Sequence, residues 1–290
     1  MTIVTLIAAP GALDPQLVLS LQSAFGGGVA NWLAPDEAAE FAVQTAPVNF
    51  RQVWQSAQEM GVDINLVPAQ GRRKAVLLAD MDSTMIQQEC IDELAAEAGV
   101  GEQVARITAR AMNGEVDFEG ALIERVGLLK GLDRGVIDKV LERRISLMPG
   151  ARELVATMKA HGAYAALVSG GFTAFTAHVA GTLGFDENRA NTLLIEGGKL
   201  TGKPALPILG RDAKVAALNE IAKERGLSRG DVLAVGDGAN DLGMLGLAGM
   251  GVALHAKPAV QAECELRINH GDLTALLYLQ GFGRADFVTG

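Results

Sequence analysis

Three short runs constrain this chain more than any other feature. Ala75–Ala79 (AVLLA), Ala163–Val168 (AYAALV) and Val232–Val235 (VLAV) are apolar throughout. Each stops at a polar or glycine-rich turn: Asp80, Ser169-Gly170-Gly171 and Gly236-Asp237-Gly238. A strand with one wet face alternates apolar and polar residues. An unbroken apolar run of this length suits a strand covered on both faces, as in a parallel sheet. Helical patterns lie between the runs. Ala151–His161 follows Pro149-Gly150, and Asp212–Arg225 stops at Gly226. Strand–helix alternation of this kind predicts an α/β fold, with a doubly wound parallel sheet.

One segment breaks the rhythm. From Gln88 to Ile145 the pattern is helical, with candidate helices at 90–98, 101–112, 117–129 and 134–145, separated by Gly99, Gly114 and Gly131. Phe118, Leu122, Val126 and Leu129 recur at spacings of three and four, which gives that helix one apolar face. A helical insertion directly after the first strand reads as a cap, spanning about 88–147. Gln87-Gln88 and Met148-Pro149-Gly150 are its candidate hinges. A second insert, Leu193–Thr201, reads as a β-hairpin turning at Gly197-Gly198.

Charge divides the chain near residue 70. Residues 1–70 hold seven charged side chains and residues 71–290 hold the other 52. The first part reads as strand 3–9, helix 15–24, a turn at Gly26-Gly27-Gly28, a strand near 29–33, a helix from Asn49 to Met60 and a strand over Ile64–Val67. That is a small α+β domain with an antiparallel sheet, and nothing in it carries chemistry. Residues 71–290 form the second part.

Several function classes are excluded by composition. A net charge of −9 does not suit nucleic acid or an anionic membrane surface. No apolar run approaches the 18 or more residues that span a bilayer. The apolar Thr2–Ile7 stretch has no basic residue before it, since the first is Arg51, so it does not read as a secretory signal. Cys90 and Cys264 make no disulfide framework. The expected location is the reducing cytoplasm.

The chemistry gathers where an open parallel sheet binds ligands, at the carboxyl ends of its strands. Asp80 and Asp82, at spacing two, point to one side of an extended chain. Asp237 ends another strand. Closely spaced carboxylates resist joint ionisation unless a cation joins them, and hard oxygen ligands suit Mg²⁺. Ser169, the Gly170 and Gly171 amides and Lys214 supply hydroxyl, N–H and ammonium donors of the kind that bind phosphate oxygens. Singly, each element has a bland explanation: a cap, a turn or a solvated lysine. Together, in this order, they imply phosphoryl transfer. The four histidines are scattered, the cysteines read as small buried hydrophobes, and Lys257-Pro258 reads as a turn after the Gly251–Leu254 strand.

Asp80-Met81-Asp82-Ser83-Thr84, the strand-end Ser169, Lys214 and Gly236-Asp237-Gly238-Ala239-Asn240-Asp241 resemble the four motifs of the haloacid dehalogenase-like hydrolases, over about residues 74–280. Glu89, Ile91-Asp92-Glu93, Ala98-Gly99, Arg125-Val126, Leu128–Leu132, Val168–Phe172, Gly198–Gly202 and Val235–Leu242 narrow the resemblance to the branch that acts on phosphoserine. The resemblance implies a Rossmann-like sheet with a helical cap, and a ferredoxin-like or ACT-like N-terminal domain that senses amino acids or forms a homodimer. It implies that Asp80 is the nucleophile and Asp82 the general acid and base. It implies Mg²⁺ on Asp80, Asp82 and Asp237, with Asp241 supporting the metal waters or Lys214. Ser169, Gly170, Lys214 and Asn240 would bind the phosphoryl group of O-phosphoserine. Glu89 would take the substrate ammonium and Arg125 its carboxylate, with Met112 and Phe118 as apolar neighbours. Two other readings keep part of this picture: a phosphatase or phosphotransferase for another small ester, and a non-enzymatic sensor.

Overall fold

The computed structural model describes residues 1–112 and 115–289, with only the backbone of Met112. The chain opens with β1 (Thr2–Ile7), α1 (Pro15–Ala24), β2 (Asn31–Ala34), β3 (Ala38–Val43), α2 (Phe50–Glu59) and β4 (Asp63–Pro68). These strands make an antiparallel sheet in the order β2-β3-β1-β4. Asp14 caps α1 by accepting from Gln16 N, with Pro15 at its first position. The expected strand near 29–33 is the first arm of a hairpin whose second arm, β3, sequence reading misses. Its run of Ala38, Ala39, Glu40, Phe41 and Ala42 has little β propensity of its own. Pairing with β1 along the whole of β3 makes it a strand.

Next come β5 (Val76–Ala79) and the helices α3 (Cys90–Glu97), α4 (Gly101–Met112), α5 (Phe118–Gly127) and α6 (Gly135–Arg143). The chain then returns through α7 (Ala151–Ala160), β6 (Tyr164–Phe172), α8 (Thr173–Leu183) and β7 (Glu187–Asn191). A hairpin of β8 (Leu193–Glu196) and β9 (Lys199–Pro204) follows. The chain closes with α9 (Arg211–Glu224), β10 (Val232–Gly236), α10 (Leu242–Leu247), β11 (Met250–Leu254), α11 (Pro258–Glu263), β12 (Leu266–Ile268) and α12 (Ala275–Leu279). The main sheet has the order β12-β11-β10-β5-β6-β7, with every pairing parallel. All four residues of β5 and all five of β10 are buried, as their unbroken apolar runs require. The order reverses at β5, which has β6 on one side and β10 on the other. A doubly wound sheet opens a crevice at such a reversal.

The ends of the helical insert run side by side. Ile86 bridges Leu147, Gln87 N donates to Ser146 O, and Met148 N donates to Met85 O. The β8–β9 hairpin turns at Gly197-Gly198 with φ of 56° and 77°, left-handed values that favour glycine. It also grips the insert: Gly131 N donates to Leu200 O, Leu200 N to Leu132 O, and Arg134 N to Gly198 O. No described helix is long and apolar enough to cross a membrane.

The antiparallel sheet is docked on the parallel one by polar contacts. Asp63, fully buried, accepts from Asn269 N, His270 N and Gly271 N at 2.8–2.9 Å. Asn65 donates to Arg267 O and accepts from Arg267 N. The Tyr278 hydroxyl donates to Glu37. Three N–H groups converging on one carboxylate would be left unpaired by Asp63→Ala. That substitution is expected to cost about 2–4 kcal/mol, read as a lower denaturation midpoint.

Candidate active site

The crevice at the reversal is a cavity of about 310 Å³. β5 ends at Asp80, whose N–H donates to Val235 O of β10, so the two strand tips are locked together. Asp82 follows in the turn. Its Oδ1 accepts from Cys90 N at 2.8 Å and its Oδ2 from the Ser169 hydroxyl at 3.1 Å. Ser169 lies inside β6 rather than beyond its end. The β6–β7 register breaks between Val168 and Phe172, so Ser169, Gly170 and Gly171 bulge out of the ladder. The Ser169 hydroxyl also accepts from Gly171 N at 2.8 Å. A Cβ on Gly171 would come within 2.5 Å of Asp82 Oδ2, so the contact depends on glycine there.

Beyond β10 the chain turns through Asp237 and Asn240 to Asp241. Asp241 Oδ2 accepts from Gly238 N at 3.0 Å. Gly236 allows this turn, because a Cβ there would fall 2.4 Å from Asp241 Cγ. Lys214, in the first turn of α9, is 2% exposed. Its Nζ lies 2.6 Å from Asp80 Oδ1 and 2.5 Å from Asp241 Oδ1. The contact with Asp80 is a buried ion pair, and among the described residues Asp80 Oδ1 has no hydrogen-bond partner beyond that ammonium.

Carboxylate oxygens of Asp80, Asp237 and Asp241 lie within 4.8 Å of one another. Burial pushes Asp80 well above the usual carboxylate range, and the Asp241 charge adds to it. Burial, with Asp241 and Glu89, lifts Asp237 to about 7. Burial works against the Lys214 charge, but Asp80 and Asp241 outweigh it and hold the ammonium protonated. One buried ammonium thus touches two of the three carboxylates and acts on the third only at a distance. The leftover negative charge on three closely set carboxylates fits a divalent cation with oxygen ligands. Burial and the Glu89 charge raise Asp82 to about 6.

The helical insert supplies the opposite wall. Glu89, just before α3, accepts from the Ser83 hydroxyl at 2.7 Å. Arg125, in the last turn of α5, is held by Ala121 O at 3.2 Å and the Thr108 hydroxyl at 3.5 Å. Phe118, at the start of α5, packs where a Cβ on Gly170 would meet it at 3.0 Å. Glu89, Phe118, Arg125, Ser169, Gly170 and Asn240 share one cavity with Asp80, Asp82 and Asp237. The side chain of Met112, expected beside them, lies outside the described residues.

Sequence reasoning misses four further residues. Asp92 and Thr108 line the cavity from α3 and α4, although the sequence assigns neither of them a role in the site. Lys257 lines it too, from the turn after β11. Asn191 is buried behind the bulge, donating to Gly170 O and Leu209 O and accepting from Leu209 N. Its only sequence signal is a polar residue ending an otherwise unremarked strand.

Comparison with known proteins adds to this geometry. Residues 77–246 match the model of the haloacid dehalogenase-like hydrolase family. The chain is 44% identical to a phosphoserine phosphatase of Streptomyces coelicolor over 257 residues, which is 87% of this chain and 62% of that protein. The chain therefore spans less than two thirds of that relative. A solved haloacid dehalogenase family hydrolase from Salmonella enterica serovar Typhi superposes with a TM-score of 0.88 at 30% identity, over 96% of this chain and 97% of that one. A solved phospho-aspartyl intermediate analogue of phosphoserine phosphatase superposes with a TM-score of 0.67 at 41% identity, over 71% of this chain and 98% of that one. The chain belongs to the haloacid dehalogenase-like hydrolases, within which it groups with the phosphoserine phosphatases.

Proposed function

We propose that this chain hydrolyses O-phosphoserine to serine and phosphate through an aspartyl-phosphate on Asp80, with Mg²⁺, as the last step of serine biosynthesis in the cytoplasm. One observation carries the reading. A carboxylate and a guanidinium from the helical insert, Glu89 and Arg125, face the same small cavity as the carboxylates at the strand tips. A phosphorylated amino acid has three charged groups, and this cavity offers a counterpart to each. Glu89 would take the ammonium. Arg125 would take the carboxylate with its planar fork. Phe118 would cover the carbon chain, a role the resemblance also gives to Met112.

The phosphoryl group would lie against the Ser169 hydroxyl, the Gly170 N–H, Lys214 and Asn240. Asp80 then attacks phosphorus. The bond from phosphorus to the serine oxygen breaks, and Asp82 donates a proton to that oxygen. Serine departs. Asp82, now a base, takes a proton from water as the water oxygen attacks phosphorus and the bond to Asp80 breaks. The position of Asp82 near pKa 6 suits both halves of this exchange. Its bonds to Cys90 N and Ser169 fix the carboxylate that must move the proton. Mg²⁺ would be held by Asp80, the Asp82 main-chain carbonyl and Asp237, and when bound it neutralises charge on the phosphoryl oxygens. Asp241 holds Lys214 in place and would orient water on the metal.

The division at residue 70 belongs to the same proposal. Residues 71–290 would be the catalytic domain, with the cap inserted at about 88–147. Residues 1–70 would be a regulatory or dimer-forming domain. Their four-stranded antiparallel sheet with two helices is compatible with an ACT-like role.

Three outcomes test the reading. Asp80→Asn is expected to reduce phosphate release from O-phosphoserine by about 10³-fold or more while the far-ultraviolet dichroism stays unchanged; comparable turnover would overturn the nucleophile. Arg125→Ala is expected to raise KM for O-phosphoserine about 10–100-fold. KM for a small aryl phosphate without a carboxylate should change little, and an equal rise for both esters would remove the substrate assignment. EDTA should abolish phosphate release, and added Mg²⁺ should restore it.

A further inference from the structure

Lys257 stands apart from the machinery described above. Its backbone is fixed: its carbonyl accepts from Val260 N at 2.9 Å and Gln261 N at 3.0 Å, and the Gln261 side chain donates to Ala256 O. Its side chain is exposed and lines the cavity beside Asp237 and Asn240. Among the described residues its ammonium has no ion pair and no side-chain hydrogen bond, and its charge favours the ionised form of nearby Asp237. The other two cations of the site are committed. Lys214 sits between two carboxylates, and Arg125 is tied to the insert.

Charge decides what such a group does. Five carboxylates line the cavity and Asp241 lies beneath it, against three cations. Counted formally, with every carboxylate ionised, a divalent cation would still leave the site one charge negative. Removing Lys257 would double that excess, in a pocket that must admit a dianionic phosphate. Resting on the phosphatase reading, we infer that Lys257 draws the phosphate end of the ester into the cavity and binds the oxygens of substrate and product phosphate. It acts on association and on retention of phosphate. The chemical step stays with the strand-tip residues.

Inorganic phosphate is the direct probe, titrated calorimetrically into the Mg²⁺-loaded full chain. Lys257→Gln is expected to weaken phosphate binding about tenfold at low ionic strength, a gap that narrows as salt screens the charge. Lys257→Arg should stay within about threefold of the parent, because the charge is kept. Lys203→Gln, on the exposed hairpin strand, should change nothing. In turnover, Lys257→Gln should raise KM and leave kcat nearly constant. Equal phosphate affinity in Lys257→Gln and the parent at low salt would overturn the inference. So would a loss of the same size at every ionic strength, which would mark a structural defect. If the parent binds phosphate in a Lys257-dependent way yet releases none from O-phosphoserine, the substrate reading falls and this inference stands.

Discussion

The buried ammonium of Lys214, shared by Asp80 and Asp241, is the contact on which the site depends. Taking one charge out of water is costly, and here several are buried at the tips of two adjacent strands. The arrangement holds only because the ammonium touches both carboxylates within 2.6 Å and a backbone N–H meets Asp241. Even so, the negative charge is not balanced, and burial drives Asp80 and Asp237 upward. A fold selected for stability alone would replace such a cluster with apolar side chains of similar volume. The cluster therefore marks the place where stability has been traded for reactivity.

The rest of the molecule makes that cluster rigid. β5 and β10 are buried on both faces and joined residue for residue from Val76 to Ala79. Asp80 and Asp237 therefore sit on two neighbouring tips whose spacing packing sets. Glycines let the polar groups close in: Gly236 beneath Asp241 and Gly171 beneath Asp82. The insert is anchored differently. It joins the core through two paired linkers and through three main-chain bonds to the β8–β9 hairpin. Any displacement of the insert must carry the hairpin with it or break those bonds. The hairpin is thus a third support for Glu89 and Arg125, besides the two linkers.

Legibility in the sequence follows the physics of each element. Fully buried strands announce themselves because both faces must be apolar, and the unbroken runs Ala75–Ala79 and Val232–Val235 suit such strands. The insert helices are readable because one face of each is apolar and glycines end them. β3 is not, because its alanines gain strand structure only from β1. β7 is not, because an edge strand written Glu-Asn-Arg-Ala-Asn carries no apolar pattern. The Asp80, Asp82, Ser169, Lys214 and Asp237 set is legible through its order along the chain. Asn191 and Lys257 are not, since only folding brings Asn191 behind the Ser169–Gly171 bulge and Lys257 to the cavity.

The same reasoning explains why the cavity combines an acidic floor with a mixed wall. Floor carboxylates alone would attract any cation and repel any phosphate. Arg125 offsets this where the insert meets the cavity; burial lowers its pKa, and its carboxylate neighbours Asp92, Glu89 and Asp82 favour the charged guanidinium. Glu89 keeps the wall from becoming simply cationic. An inorganic phosphate has no group for Glu89 and would meet it as one more repulsive charge. An ester with an ammonium converts that repulsion into a contact. On the proposed function, discrimination between a phosphorylated amino acid and a plain phosphate ester would arise from a like-charge conflict at Glu89, resolved by a ligand of opposite sign at that position.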